Sequence, residues 1–449
     1  MAPNSSSRTS GEVQKKKYEF KVKVYQPRDS VITEITQQKN LLAVYRIFLM
    51  VFLALCINFL FRNCFYGEGL TSSFALVFQS FKNIHMALAG WFVAFLSTVW
   101  LYYGFKCWAI GRTRIIPNSF VSQVWNTLWL TSYAFHFLAV LNIPVVFTYR
   151  YNLGFASSVA VGMEAMRLLM KSYSVVRSNV PRLTTSNLMK EFPKFSHYMY
   201  FLFSPAMVYR DSYPRSKHPI RWRFVGGLMA ELVAIILLYS IIFERGYIHD
   251  LKNFGLTTYR WTDIVTIILE NCLYSIFAFV MTFYLVLHVS QNICAEILQF
   301  SDKLFYEDWW TSSSYSRYYR TWNVVVHDWL YNYVYKDTYE ILCPGNKFIA
   351  KQLVFLLSAL FHEYISTIAL GFYLPIFMIF FFGFGNYLSY HKFSSSFVGN
   401  LFLLYSLTLG SSIMFTTAIM EHYCRTNSVQ EEMTISNFFT PKLFTCISY

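Results

Sequence analysis

Phe355–Thr367 reads "FLLSALFHEYIST". His362 and Glu363 stand side by side in a run otherwise apolar enough to cross a bilayer. An ionisable group at that depth is costly, and by default it marks a functional site. The polar residues around it fall at helical spacing. Lys347, Lys351, Ser358, His362 and Ser366 follow one another at steps of four, seven, four and four. They form one face of a helix, with two lysines at its entrance and the histidine near its middle. A polar stripe on an otherwise apolar membrane helix faces a water-filled or substrate-filled cavity.

The rest of the chain agrees with a membrane setting. Of 449 residues, 55% are hydrophobic and 14% charged, against roughly 25% charged in a soluble domain. Aromatic residues reach 20% of the chain, enough to belt both membrane interfaces. Long apolar runs start near Leu41, Met86, Val124, Leu153, Phe224, Ile264, Phe348, Tyr373 and Val398. The expected fold is an all-α polytopic membrane protein with about nine transmembrane helices. Residues 1–40 read as a basic N-terminal tail and residues 41–449 as the membrane-embedded domain. No apolar run begins before Leu41, so no cleavable signal is expected and the tail is read as cytosolic. An odd span count then puts the C-terminus on the lumenal side.

The net charge is +14. Lys- and Arg-rich cytoplasmic loops account for such an excess, and a basic mouth for a polyanionic substrate is the sharper reading. A basic stretch runs from Lys171 to Lys194, with Arg177, Arg182 and Lys190. No basic-aromatic repeat of a nucleic-acid binder is present. Eight cysteines are scattered without a Cys-x-x-Cys pair or zinc spacing.

A second stretch stands out. "FYEDWWTSSSYSRYYRTWNVVVHDWLYNYVYKD", Phe305–Asp337, is rich in Trp and Tyr and carries several charges. It reads as one or two helices lying at the membrane surface or dipping into it. Within it Asn323, His327 and Tyr331 recur at four-residue steps, one polar stripe on a helix.

Three kinds of chemistry compete for His362. A lone intramembrane histidine also serves as hydrogen-bonding glue between helices. "HEYIS" is not H-E-x-x-H, because Ser366 holds the fourth place after His362, so a zinc protease is disfavoured. No G-x-S-x-G elbow supports a serine triad. A general base without a metal remains: imidazole has an ordinary pKa near 6.5, so its neutral form accepts a proton at cellular pH.

Together, "FYEDWW", "YYRTWNVVVHDWLYNYVYKD" and "SALFHEY" resemble the membrane-bound O-acyltransferases, and within them the sterol O-acyltransferase branch. "YFLFSPAMVYRDSYPR", Tyr200–Arg215, resembles another stretch of that branch. The likeness extends over about residues 40 to 449. It implies helices enclosing a chamber, a cytosolic tunnel for acyl-CoA and a lateral opening for a sterol. It implies His362 as catalytic base with Asn323 beside it and Trp322 near the reacting centre. Tyr318, Arg320, His327, Tyr335, Lys347 and Ser358 match positions around the acyl-CoA. Asn323 then either donates to the oxyanion or holds the imidazole tautomer. No metal or cofactor is implied, acyl-CoA being a co-substrate. Homodimers in the endoplasmic reticulum membrane are implied, with tetramers in members that have a longer N-terminal region.

The likeness has two departures. The pattern FYxDWWN ends here in Thr311. Cys424 and Cys446 match a cysteine pair of that branch, with a somewhat longer loop, and are expected to form a disulfide in the oxidising lumen. Rival readings are a diacylglycerol acyltransferase, transfer to a protein or peptide, and a lipid transporter using His362 as a proton relay.

Overall fold

The computed structural model describes residues 23–66, 70–185, 192–257, 259–428 and 434–448. Backbone polar groups in lipid must pair within their own segment, so apolar runs of this length close into helices. The main helices are α1 (Lys39–Tyr66), α2 (Ile84–Arg114), α3 (Phe120–Tyr151), α4 (Phe155–Thr185), α5 (Phe195–Phe203) and α6 (Trp222–Ile242). They continue as α7 (Cys272–Phe283), α8 (Tyr315–Thr321), α9 (Val324–Trp329), α10 (Lys347–Leu370), α11 (Met378–Leu388) and α12 (Ser396–Asn427). The strand pairing among the described residues is one two-residue parallel ladder, Tyr259–Arg260 on Ile447–Ser448.

All nine expected runs are helical. Seven helices among the described residues are long and apolar enough to cross a membrane by length and composition. The runs from Leu153 and Tyr373 fall short of that standard, each for its own reason. The second forms α11, which is too short. The first forms α4, which is long but carries Glu164, Arg167, Lys171, Arg177 and Arg182. Protein groups pair with these charges. Lys171 is fully buried, and its Nζ donates to the carbonyls of Phe201 (2.5 Å), Leu202 (3.1 Å) and Ser204 (2.6 Å). Those are the orphan carbonyls at the end of α5, where a cation is favoured by the helix dipole. Arg167 donates to Leu202 O as well, and pairs with Glu164 at 2.8 Å. Lys171 therefore serves packing, and Arg177 continues the pattern with Asp337 at 2.8 Å; Arg182 pairs at the surface with Asp211 at 2.7 Å, and Lys190 lies outside the described residues.

The chain from Lys23 to Thr36 is bound to the body. Arg28 donates from Nε to Asp302 at 2.6 Å, and its backbone N–H reaches Ser301 O at 2.8 Å. Lys23 pairs with Asp328 at 2.6 Å, and Tyr25 packs edge-on against Tyr213 at 5.1 Å.

At the other end of the sequence, Cys424 and Cys446 form a disulfide. Gly255 lies under it at φ +92, where a Cβ would come within 3.2 Å of Cys424 Cα. Only glycine meets both demands.

Candidate active site

α10 is the spine of the site. Asn346 caps it, its Oδ1 accepting from Ile349 N–H at 3.0 Å. Gly371 closes it in the left-handed region at φ 80. Against it pack α3, α4, α11 and the helical turns Leu330–Tyr335 and Thr338–Leu342 that extend α9. His362 keeps an accessible face in the middle of this packed helix.

The imidazole is oriented by its own helix. Nδ1 lies 2.7 Å from Ser358 O. A carbonyl only accepts, so this contact assigns the proton to Nδ1 and leaves the Nε2 lone pair outward. Two rings bracket the imidazole, Phe377 at 5.4 Å and Phe381 at 4.9 Å between centroids.

Asn323 lies in the break between α8 and α9. The expected stripe of Asn323, His327 and Tyr331 is corrected here, because Asn323 heads α9 as its cap and does not ride on it. Its Oδ1 accepts from Val326 N–H at 3.1 Å. The amide hydrogens on Nδ2 take no part in that cap. The stripe itself begins at His327, as a ladder of near-parallel rings. His327 stacks on Tyr331 (6.4 Å), Tyr331 on Tyr335 (5.7 Å) and Tyr335 on Tyr339 (6.4 Å). The helix widens to π-helical turns over Leu330–Tyr335, a local form frequent at functional sites.

Aromatic packing joins the two segments. Tyr319 meets Phe355 of α10 at 5.0 Å and Phe381 of α11 at 6.4 Å, and Phe381 meets His362. A Cβ on Gly385 would collide with the Tyr319 hydroxyl, so glycine lets α8 approach α11. Trp322 stacks on Phe279 at 4.7 Å and meets Trp309 at 4.8 Å. Phe361, beside His362, packs into the same core as Trp322 and Val325. A chain of ring contacts, Tyr319 to Phe381 to His362, thus links the segment that carries Trp322 and Asn323 to α10.

The other expected residues spread outward. Tyr318 is buried among Trp309, Trp322, Tyr315 and Tyr319. Arg320 is exposed, its Nε donating to Ser316 O at 3.0 Å, and Lys347 is exposed at the first turn of α10. Lys351 folds back so that Nζ sits 3.3 Å from the centre of the Tyr390 ring. Thr311 donates to Asp308 Oδ2 at 2.7 Å, and Arg317 reaches the same carboxylate at 3.0 Å. That hydrogen bond, with Arg317, holds the exposed Asp308 carboxyl below its ordinary range. Tyr319, Phe377 and Phe381 were not singled out in the sequence. Their only signal was four-residue spacing in a segment already saturated with aromatics.

The family model for the membrane-bound O-acyltransferase family matches residues 125–414, a span containing every one of these side chains. The chain belongs to the membrane-bound O-acyltransferase family. Among curated relatives, it is 33% identical over 432 residues to sterol O-acyltransferase 2 of Homo sapiens, covering 95% of this chain and 81% of that protein. It is 34% identical to sterol O-acyltransferase 2 of Mus musculus, covering 99% of this chain and 84% of the relative. It is 31% identical to sterol O-acyltransferase 1 of Mus musculus, covering 94% and 79%. Membership makes this membrane-bound O-acyltransferase a multi-pass enzyme of acyl transfer. The transporter reading loses its ground.

Proposed function

We propose that the enzyme transfers a long-chain acyl group from acyl-CoA to the 3-hydroxyl of a sterol, with His362 as general base. What carries the choice of acceptor is the likeness to proteins named sterol O-acyltransferase along 94% to 99% of the chain.

In this reading Nε2 of His362 takes the hydroxyl proton as the sterol oxygen attacks the thioester carbonyl. The hydrogen bond from Nδ1 to Ser358 O supports that tautomer. It also relieves Asn323 of an orienting task. With Oδ1 used as the α9 cap, Asn323 has its Nδ2 hydrogens to offer the oxyanion of the tetrahedral intermediate. Collapse breaks the C–S bond. CoA leaves as a thiolate, or takes the proton from the imidazolium. Neither a covalent acyl-enzyme nor a cofactor enters this scheme.

Arg320 and Lys347 are read as contacts for the CoA phosphates, with His327 and Tyr335 along the ring ladder leading inward. Trp322 lies by the reacting centre. Tyr318 acts through Trp322, since its ring is buried against it. The protein is read as a homodimer of the endoplasmic reticulum membrane, with a cytosolic N-terminus and a lumenal C-terminus.

The test is an assay of the protein in lipid nanodiscs with labelled oleoyl-CoA, offering cholesterol and diacylglycerol in parallel. Faster steryl ester formation is expected. Faster triacylglycerol formation overturns the acceptor, and transfer to neither overturns the reading.

A further inference from the structure

We infer that Glu363 is a positioning residue: it anchors the start of α11 so that Phe377 and Phe381 hold the His362 ring in place. The inference rests on the reading of His362 as the base.

Successive residues on a helix point about 100° apart, so His362 and Glu363 serve different neighbours. Glu363 is 4% exposed, and its Oε2 accepts the backbone N–H of Met378 at 3.0 Å. Met378 is the first residue of α11. The opening N–H groups of a helix have no partner within it, and a carboxylate is the favoured partner at that end. The backbone N–H groups of Phe377 and Ile376 face the same carboxylate. Pro375 has no N–H, and Ile376 donates to Leu374 O at 2.7 Å. The carboxylate of α10 therefore sets where α11 begins.

Phe377 adjoins that anchor and Phe381 follows one turn later. Their rings stand 5.3 Å apart at 79° and form a corner, and the imidazole sits in it. Ser358 O fixes the direction of Nδ1, and the two rings limit tilt and lateral motion of the imidazole. A slip of α11 along its axis moves both rings together and releases the base. The remaining oxygen, Oε1, is buried with no hydrogen-bond partner among the described residues.

Three substitutions decide it. Gln keeps an acceptor oxygen at the same reach. Asp keeps the charge but is one methylene too short for Met378 N–H. Leu removes both. On the monodisperse folded fraction, Glu363→Leu and Glu363→Asp are expected to lose on the order of 10²-fold in kcat, as for a misplacement of about 1 Å. KM for oleoyl-CoA should stay within about twofold, and Glu363→Gln should stay within about tenfold of wild type. If Glu363→Leu does not fold, the Asp and Gln pair still decides. A near-normal kcat in Glu363→Asp, or a Gln variant as inactive as the others, overturns the inference.

A second readout needs no turnover. Diethyl pyrocarbonate modification of His362, followed by peptide mass spectrometry, should be faster in Glu363→Asp than in wild type and Glu363→Gln. Equal rates overturn the inference. If wild type transfers to no acceptor, the acyl-transfer reading fails, while these rates still test the anchor.

Discussion

At the scale of single residues, the site depends on how many hydrogen-bonding tasks each group already has. His362 spends its Nδ1 proton on Ser358 O, so Nε2 is the atom left to act as base in the proposed reaction. His362→Ala should abolish nearly all transfer in protein that still inserts and elutes as a folded species; near-normal turnover sinks the mechanism. Asn323 spends one lone pair of Oδ1 on the α9 cap and keeps both Nδ2 hydrogens to donate. Asn323→Ala should lose roughly 10²–10³-fold in kcat if Nδ2 serves the oxyanion. A loss below about tenfold demotes it to a cap, whose removal costs about 1 kcal/mol of stability. Thr311 shows the same economy. It keeps a hydrogen bond to Asp308 where the family pattern has Asn.

At the scale of elements, α9 is held from two sides. Trp329 and Tyr333 press it into the bundle, with Trp329 Nε1 donating to Met170 O at 2.9 Å. The Lys23–Thr36 segment holds it from outside through the Lys23–Asp328 pair. Burial raises the Asp328 carboxyl, but hydrogen bonds from His327 and Lys23 outweigh that and leave it below its ordinary value. A depressed carboxyl binds its proton more weakly folded than unfolded. Its contribution is complete above the unfolded pKa of about 3.9 and is lost as pH falls through the folded value. The strap should therefore stay docked from neutral pH to about pH 4 and loosen below it. Hydrogen exchange of the peptide around Gln26 and Arg28 reads this directly. Asp328→Asn should lower protection there at neutral pH, with Asp302 and Ser301 O keeping part of it, and unchanged protection would count against the Lys23–Asp328 pair as an anchor of this segment.

At the scale of the whole molecule, the described segments nearest the two termini brace different loops. The Lys23–Thr36 segment ties to the loop at Ser301–Lys303, and the C-terminal segment pairs Ile447 with Tyr259. Glu421, fully buried, accepts the backbone N–H groups of Lys442 and Leu443 at 2.9 and 2.7 Å. The Cys424–Cys446 disulfide closes a separation of 22 residues, worth about 3 kcal/mol in the chain-entropy account. Non-reducing peptide mapping should recover the linked pair, and Cys424→Ser should lower the denaturation midpoint. Free alkylation of both thiols without reductant would contradict the bond and, with it, the lumenal placement of this end.

Much of this was readable in the order of the residues. Apolar length alone marks the helices, because a backbone in lipid has no partner outside its own segment. The stripe from Lys347 to Ser366 follows from the helical repeat, and the two aromatic blocks carry the family. What could not be read there depends on residues far apart in sequence meeting in space. The Leu153 run reads as a span, yet α4 carries charges, and Lys171 among them bonds to the end of α5. Tyr318 looks like a ligand contact but is packed beneath Trp322. Asn323 lies on the stripe by spacing, but a chain break makes it a cap. Local periodicity decides which way a side chain points along its own helix. Only the packing of other helices against it decides whether that direction leads to solvent, to a partner or to the imidazole.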